Sequence, residues 1–215
     1  MGKLRARSTA EIEERRNEIL QSARELLAEE EYEEITLGTI AQRISISRPS
    51  VYTYYKTKEE VIVDLMIREY QLWELELKKA FSRKMTRERF CWTMVDMLWQ
   101  RNLLLKLLSL HPTALRSKCS DELIVRFEEE VQPFFMTLSE VLNKQFPQAR
   151  EADKNMFSIQ FAVYCNSLYA LQQVPAVQRQ AMRDLDLFGA IPPDKEICYE
   201  GLMLLSSALA LNENT

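Results

Sequence analysis

Between residues 35 and 58 the chain carries Arg43, Arg48, Lys56 and Lys58 and no acid, together with Tyr52, Tyr54, Tyr55 and several hydroxyl side chains. Cations and phenols set apart from carboxylates suit a polyanion, because they donate to its oxygens and nothing nearby repels it. Lys3, Arg5 and Arg7 form a second acid-free cationic group in the first ten residues. The acids gather elsewhere, most densely at Glu29, Glu30, Glu31, Glu33 and Glu34. A formal net charge of −4 therefore does not exclude a nucleic acid, since the distribution of charge decides where phosphates can approach.

The spacing inside this segment predicts helix, tight turn, helix, at about 37–43 and 48–54. Thr36 and Ser47 stand where side-chain oxygens cap helix N-termini, and Pro49 falls in a first turn where its missing N–H does no harm. Ile40, Ala41, Ile46, Val51 and Tyr55 can form the small core between the two helices, with Ala41 allowing close crossing. Arg48, Pro49, Ser50, Thr53 and Tyr54 then project from the start and outer face of the second helix. A recognition helix meets base edges with its N-terminal residues. Arg48 can donate a bidentate pair to guanine, and the Pro49 ring can touch a thymine methyl. Tyr52, Tyr54 and Lys58 suit phosphates, and the basic tail suits backbone or minor-groove contacts. The plainer reading is two helices whose aromatics simply pack; the caps, the small alanine and the absence of acids favour DNA.

The elements that must hold this pair read as helices throughout, so the expected fold class is all-α. Ile12, Ile19, Leu20, Ala23, Leu26 and Leu27 recur at helical spacing over 11–30, with Thr9 as the expected cap. Further helices are expected at 59–80, 87–100, 103–110, 121–145, 152–174 and 195–211. Pro133 kinks or divides the helix at 121–145, and 175–194 is expected to be partly irregular. With only 4 Gly there is no glycine-rich phosphate loop, and His111 is the single histidine, so catalysis has few candidates. Cys91, Cys119, Cys165 and Cys198 lie far apart without a Cys-x-x-Cys pair. No metal or cofactor is expected, and free thiols fit a reducing cytoplasm. The basic start lacks an apolar stretch, and no apolar run reaches the roughly 18 residues of a membrane span. The expected location is cytoplasmic.

Thr36, Ile40, Ala41 and Ser47 fall on a Thr-x-x-x-Ile-Ala-x-x-x-Gly-Val-Ser pattern, and Tyr52, Tyr55 and Lys58 on a following Tyr-x-x-Phe-x-x-Lys pattern. In these residues, over roughly 12–62, the chain resembles the TetR/AcrR family of transcriptional regulators. Ser45 stands at the turn glycine, Ile46 at the valine and Tyr55 at the phenylalanine. Serine there implies either a turn outside the left-handed region or one that tolerates strain. The resemblance implies phosphate contacts at Thr36, Tyr52, Tyr54 and Lys58, and places Arg48, Pro49, Ser50 and Thr53 at or near the bases. It implies a helix-turn-helix domain over 1–58 and a helical effector and dimerisation domain over 59–215.

One short helix-turn-helix covers little DNA, so a homodimer on a palindromic double-stranded operator is expected. Phe157, Phe161, Tyr164, Leu168, Leu202, Leu205 and Leu209 are the expected dimer face, with Gly201 and Ala208 permitting close approach. The middle helices, through Trp92, Trp99, Leu103, Leu107, His111, Phe134, Met136 and Tyr169, suit a largely apolar effector, although an ordinary core would look the same. Repression released by such a ligand follows from the resemblance. A DNA-binding protein without a small-molecule effector is the alternative, and a purely structural dimer a third class. Replacing Ala41 by Phe is expected to overpack the helix crossing and abolish DNA binding; unchanged melting together with unchanged operator affinity would refute this.

Overall fold

Apolar residues at helical spacing fold into one helix after another, and the described residues contain no strand. The computed structural model describes residues 9–110, 115, 117–187, 189 and 192–210. Along them run α1 (Thr9–Glu29), α2 (Leu37–Arg43), α3 (Arg48–Val51), α4 (Lys58–Ala80), α5 (Arg87–Trp99) and α6 (Asn102–Leu110). Then come α7 (Asp121–Gln145), α8 (Glu151–Gln172), α9 (Ala176–Asp184), α10 (Asp194–Leu205) and α11 (Ser207–Ala210). Thr57, Thr86 and Ser120 cap α4, α5 and α7, each accepting the N–H of the residue three places on, at 3.2, 3.3 and 3.3 Å. These bonds satisfy donors that a helix start otherwise leaves to water.

The centre of the molecule is α4, which packs against α1, α6 and α7, while α6 lies on α8 and α10 on α5 and α8. Trp73 of α4, 1% exposed, sits in an aromatic cluster with Tyr70, Phe134 and Phe161. Among the described residues no helix is long and apolar enough to cross a membrane.

Several boundaries depart from the expectation. Thr9 is the first residue of α1 rather than its cap, and Ile12 is 40% exposed because burial along α1 begins only at Ile19. Pro133 interrupts nothing, and α7 runs as one helix. The proline lies on the exposed side, where water can serve the carbonyl that loses its N–H partner. The expected last helix breaks at Ser206, which is fully buried, donates to the Met203 carbonyl at 3.2 Å and lies 3.4 Å from Cys91 Sγ. The segment expected to be partly irregular contains α9, which buries none of its own residues. Arg179 ties it down, reaching Asp194 with both terminal nitrogens at 2.5 and 2.7 Å and the Leu171 carbonyl at 2.8 Å.

Where α8 meets α10, Tyr164 Oη donates toward the Cys198 carbonyl at 3.3 Å. A Cβ added at Gly201 would stand 2.3 Å from that hydroxyl and 2.7 Å from the ring carbon bearing it, so glycine is required for this approach. Replacing Gly201 by Ala should therefore destabilise the fold by about 1–3 kcal/mol, read as a lower urea midpoint; an unchanged midpoint would show that Tyr164 moves aside freely.

Candidate nucleic-acid interface

The pair α2–α3 is fixed first by its caps. Thr36 Oγ1 accepts from Thr39 N at 3.0 Å, and Thr39 Oγ1 accepts from Thr36 N at 2.9 Å. These reciprocal bonds form a capping box at the start of α2. Ser47 caps α3 from one side only, its Oγ accepting from Ser50 N at 3.4 Å and lying 2.8 Å from Ser50 Oγ. Between the helices Ser45 adopts φ 53°. The serine at the turn-glycine position thus occupies the left-handed region, where a side chain adds strain that glycine avoids.

Regular helix ends at Val51, three residues earlier than expected. Tighter bonds carry the turn onward, with Thr53 N donating to Ser50 O and Tyr54 N to Val51 O. The pair is anchored from below: Ile40, Ala41, Val51 and Tyr55 are at most 2% exposed, and Ile46 packs partly buried against them. Ser22 Oγ donates to the Ile40 carbonyl at 3.1 Å, joining α1 to α2. Tyr55 Oη donates to Asp64 Oδ2 at 2.8 Å, and Arg126 of α7 reaches Asp64 Oδ1 at 2.6 Å. Burial, helped by the Asp64 charge, pushes the Tyr55 phenol well above its ordinary pKa and keeps it a donor.

What this leaves outward is Thr36, Arg48, Pro49, Tyr52 and Thr53, all exposed, with Ser50 half-buried. Thr53 Oγ1 gives its proton to the Ser50 carbonyl at 2.7 Å, so toward a partner it offers acceptor lone pairs and a methyl. Tyr54 is half-buried and borders a polar cleft of about 310 Å³ with Glu11, Glu14, Arg15 and Glu18 of α1.

Two of the basic residues are engaged within the protein. Arg43 closes a two-pronged pair on Glu29, at 2.8 and 2.6 Å, and adds Glu25 at 3.1 Å; that pairing holds the Glu29 carboxyl below its usual range. Lys58 donates to the Tyr32 carbonyl at 2.7 Å and stands 4.0 Å above the Tyr32 ring centroid. Burial lowers its ammonium pKa, and a phosphate at Lys58 must compete with the Tyr32 carbonyl for the ammonium or share it. Composition counted these charges but could not show their partners. Arg48 and Lys56, by contrast, are exposed.

The sequence reading missed a polar strap behind the pair. Lys106 of α6 donates to the carbonyls of Leu27 and Glu30 at 2.6 and 3.1 Å, serving the last turn of α1, whose carbonyls lack helical partners. Arg101 and Glu69 are 7% and 4% exposed. Their pair stands at 3.5 Å, Arg101 also meets Glu76 at 2.7 Å, and Arg24 of α1 bonds Glu69 from the other side. The one signal available was Lys106 itself, a lone cation inside Leu103–Ser109.

The expected effector and dimer residues separate by burial. Leu107 and Phe134 are buried core, Trp99, Leu103 and Tyr169 are half-buried, and His111 lies outside the described residues. Trp92 and Met136 face outward at 37% and 59% exposure, with Trp92 stacked on Tyr199 at 4.3 Å. Phe157, Phe161, Leu168, Leu202 and Leu209 are at most 2% exposed within one subunit, leaving them almost no surface to give a second copy. Tyr164 and Leu205 are half-buried. The apolar surface left open lies one step round the same helices: Met156, Ile159 and Val163 of α8 and Leu204 of α10, between 52% and 75% exposed. Periodicity identified the helices as amphipathic but could not say which of their two apolar faces the subunit itself consumes.

A family model described as bacterial regulatory proteins, tetR family, matches residues 19–65, and one described as tetracyclin repressor-like, C-terminal domain, matches residues 67–204. The chain belongs to the TetR family, DNA-binding helix-turn-helix regulators of transcription and not enzymes. Among solved structures it is similar to a TetR/AcrR-family transcriptional regulator from Thermobifida fusca, at 15% identity and TM-score 0.60, over 90% of this chain and 97% of that one. It is similar to FadR from Bacillus subtilis, solved with stearoyl-CoA, at 16% identity and TM-score 0.60 over 89% and 98% of the two chains. A regulator from Aquifex aeolicus aligns at 22% identity and TM-score 0.53, over 88% and 98%. No curated protein sequence matches this chain.

Because Ser45 holds a conformation glycine adopts without strain, Ser45→Gly should raise stability by up to about 1 kcal/mol, or about 2–4 °C in melting temperature. A lowered melting temperature would mean that the serine side chain contributes more than its backbone strain costs.

Proposed function

We propose that the chain acts as a homodimer that reads a palindromic operator through α3 and represses transcription until a small, largely apolar ligand binds. In this reading residues 1–58 serve the DNA and 59–215 the ligand and the dimer, with α4 crossing from one to the other. The observation that carries it is the division of α3. Val51 and Tyr55 lock it inward, while Arg48, Pro49, Tyr52 and Thr53 stay outward with no carboxylate among them. Thr36, Tyr54 and Lys58 flank that face as the proposed phosphate contacts, and Ser50 stands beside the proposed base contacts.

A second copy is supported by Met156, Ile159, Val163 and Leu204. The three α8 positions are spaced as one helical stripe, and Tyr164 joins that flank to α10. We place the interface there, with Tyr164 and Leu205 at its edge. A ligand is supported by the Trp73 indole N–H, buried beside Phe134 without an acceptor among the described residues. An orphaned donor of this kind costs about 1–3 kcal/mol, which an oxygen on an otherwise apolar molecule would recover. Trp99, Leu103 and Tyr169 are half-buried against the apolar core. The stearoyl-CoA held by the similar FadR structure fits a ligand of that character.

Selection from a random duplex pool should return an inverted repeat. Sedimentation should give a dimer for the native chain and a monomer for Val163→Glu, with operator affinity of the monomer reduced at least about tenfold through lost bivalency. A native chain of monomer mass at every concentration, or one that retains only arbitrary duplexes, would overturn the proposal.

A further inference from the structure

Arg48 is the first residue of α3 and Tyr52 its fourth neighbour, so the two side chains share one face of a single turn. Arg48 Nη2 donates to Tyr52 Oη at 3.3 Å, and the guanidinium carbon lies 5.8 Å from the Tyr52 ring centroid. The Arg48 stem also runs near Gly38 of α2. A Cβ built on that glycine would lie 3.9 Å from both Arg48 Cδ and Nε. The arginine thus lies beside a phenol and near α2, while it is exposed and forms no ion pair among the described residues.

A free arginine carries about 2 kcal/mol of rotamer entropy, much of which is lost when its planar fork engages a base. Holding the fork beforehand removes part of that cost at the moment of binding. The Tyr52 bond takes one of five N–H donors and leaves enough for the two parallel bonds that guanine O6 and N7 accept.

We propose that Tyr52 is a positioning residue for Arg48, and that the pair sets a guanine preference at one symmetric place in each operator half-site. This rests on the reading of α3 as the DNA-reading element, but it assigns Tyr52 a task other than phosphate contact. The two tasks differ in what they do to sequence preference. A hydrogen bond to phosphate strengthens every duplex alike, whereas a bond that aims the arginine strengthens only duplexes carrying the guanine.

The experiment measures the affinity of the full-length chain for its selected operator and for the same duplex with each base pair exchanged in turn. The native chain should lose about 5- to 150-fold at one G·C pair per half-site. Arg48→Lys, which keeps the charge but not the fork, should lose that discrimination while retaining its salt dependence. Tyr52→Phe keeps the ring and removes only the hydroxyl; at 46% exposure Tyr52 is not part of the core. This variant should bind the exchanged duplex as the native chain does and narrow the guanine preference at least about threefold.

Equal weakening by Tyr52→Phe on matched and exchanged duplexes would overturn the proposal and make Tyr52 a phosphate contact. A guanine preference that survives Arg48→Lys, or none in the native chain, would overturn it as well while leaving operator binding intact. Selection of no inverted repeat at all would instead remove the functional reading beneath it.

Discussion

A helix of one turn cannot hold itself in water, because nucleation costs more than its few hydrogen bonds return. α3 spans four residues, so its position is set by what anchors it. Val51 and Tyr55 are buried, Ile40 and Ala41 form the floor, and the Tyr55–Asp64–Arg126 chain continues the anchor through α4 into α7. Every outward property of the reading face depends on this inward grip. Ser47 sets the start of the turn, Pro49 fixes its backbone, and Arg48 and Tyr52 are left free of the packing that holds their neighbours.

The same economy governs the charges. Arg43, Lys58, Lys106, Arg24, Arg101 and Arg126 all serve internal partners, and several of those partners are backbone carbonyls at helix ends. They join α1, and through it α2, to α4 and α6. Arg101 and Glu69 are deeply buried, so breaking their pair leaves an uncompensated charge away from water, which costs far more than loss of an exposed pair. α1 and α6 are therefore bound by contacts that a relative displacement must either carry along or break. A chain with a net negative charge can still present an acid-free face, since its charges are unevenly distributed and Glu25, Glu29, Asp64, Glu69 and Glu76 pair with structural arginines.

Much of the fold was legible because periodicity and caps are local. Thr36 and Ser47 were recognisable from neighbours three residues away, and α7 was found at both of its ends. The small core under the reading pair was legible for the same reason: Ile40, Ala41, Val51 and Tyr55 lie within one short stretch. What failed to show was anything decided by a distant partner. Arg43 counted among the cations of an acid-free stretch, yet Glu25 and Glu29 close on it from α1. Of the expected dimer residues, Phe157, Phe161, Leu168, Leu202 and Leu209 lie on the face of α8, α10 and α11 that the subunit itself buries, while Tyr164 and Leu205 are half-buried. Ser45 left two backbone geometries open, and only the path between α2 and α3 selected the left-handed one.

The sequence by itself determined an all-helical chain, the place of its helix-turn-helix, and the residues that form and cap it, since these follow from side-chain spacing within a few turns. Tertiary structure alone decided which cations remain available, which apolar stripe stays open to another copy, and how tightly α1 is bound to the body. Those depend on pairings between residues dozens of positions apart. Composition records the charge or area that each side chain brings, but not the partner that consumes it.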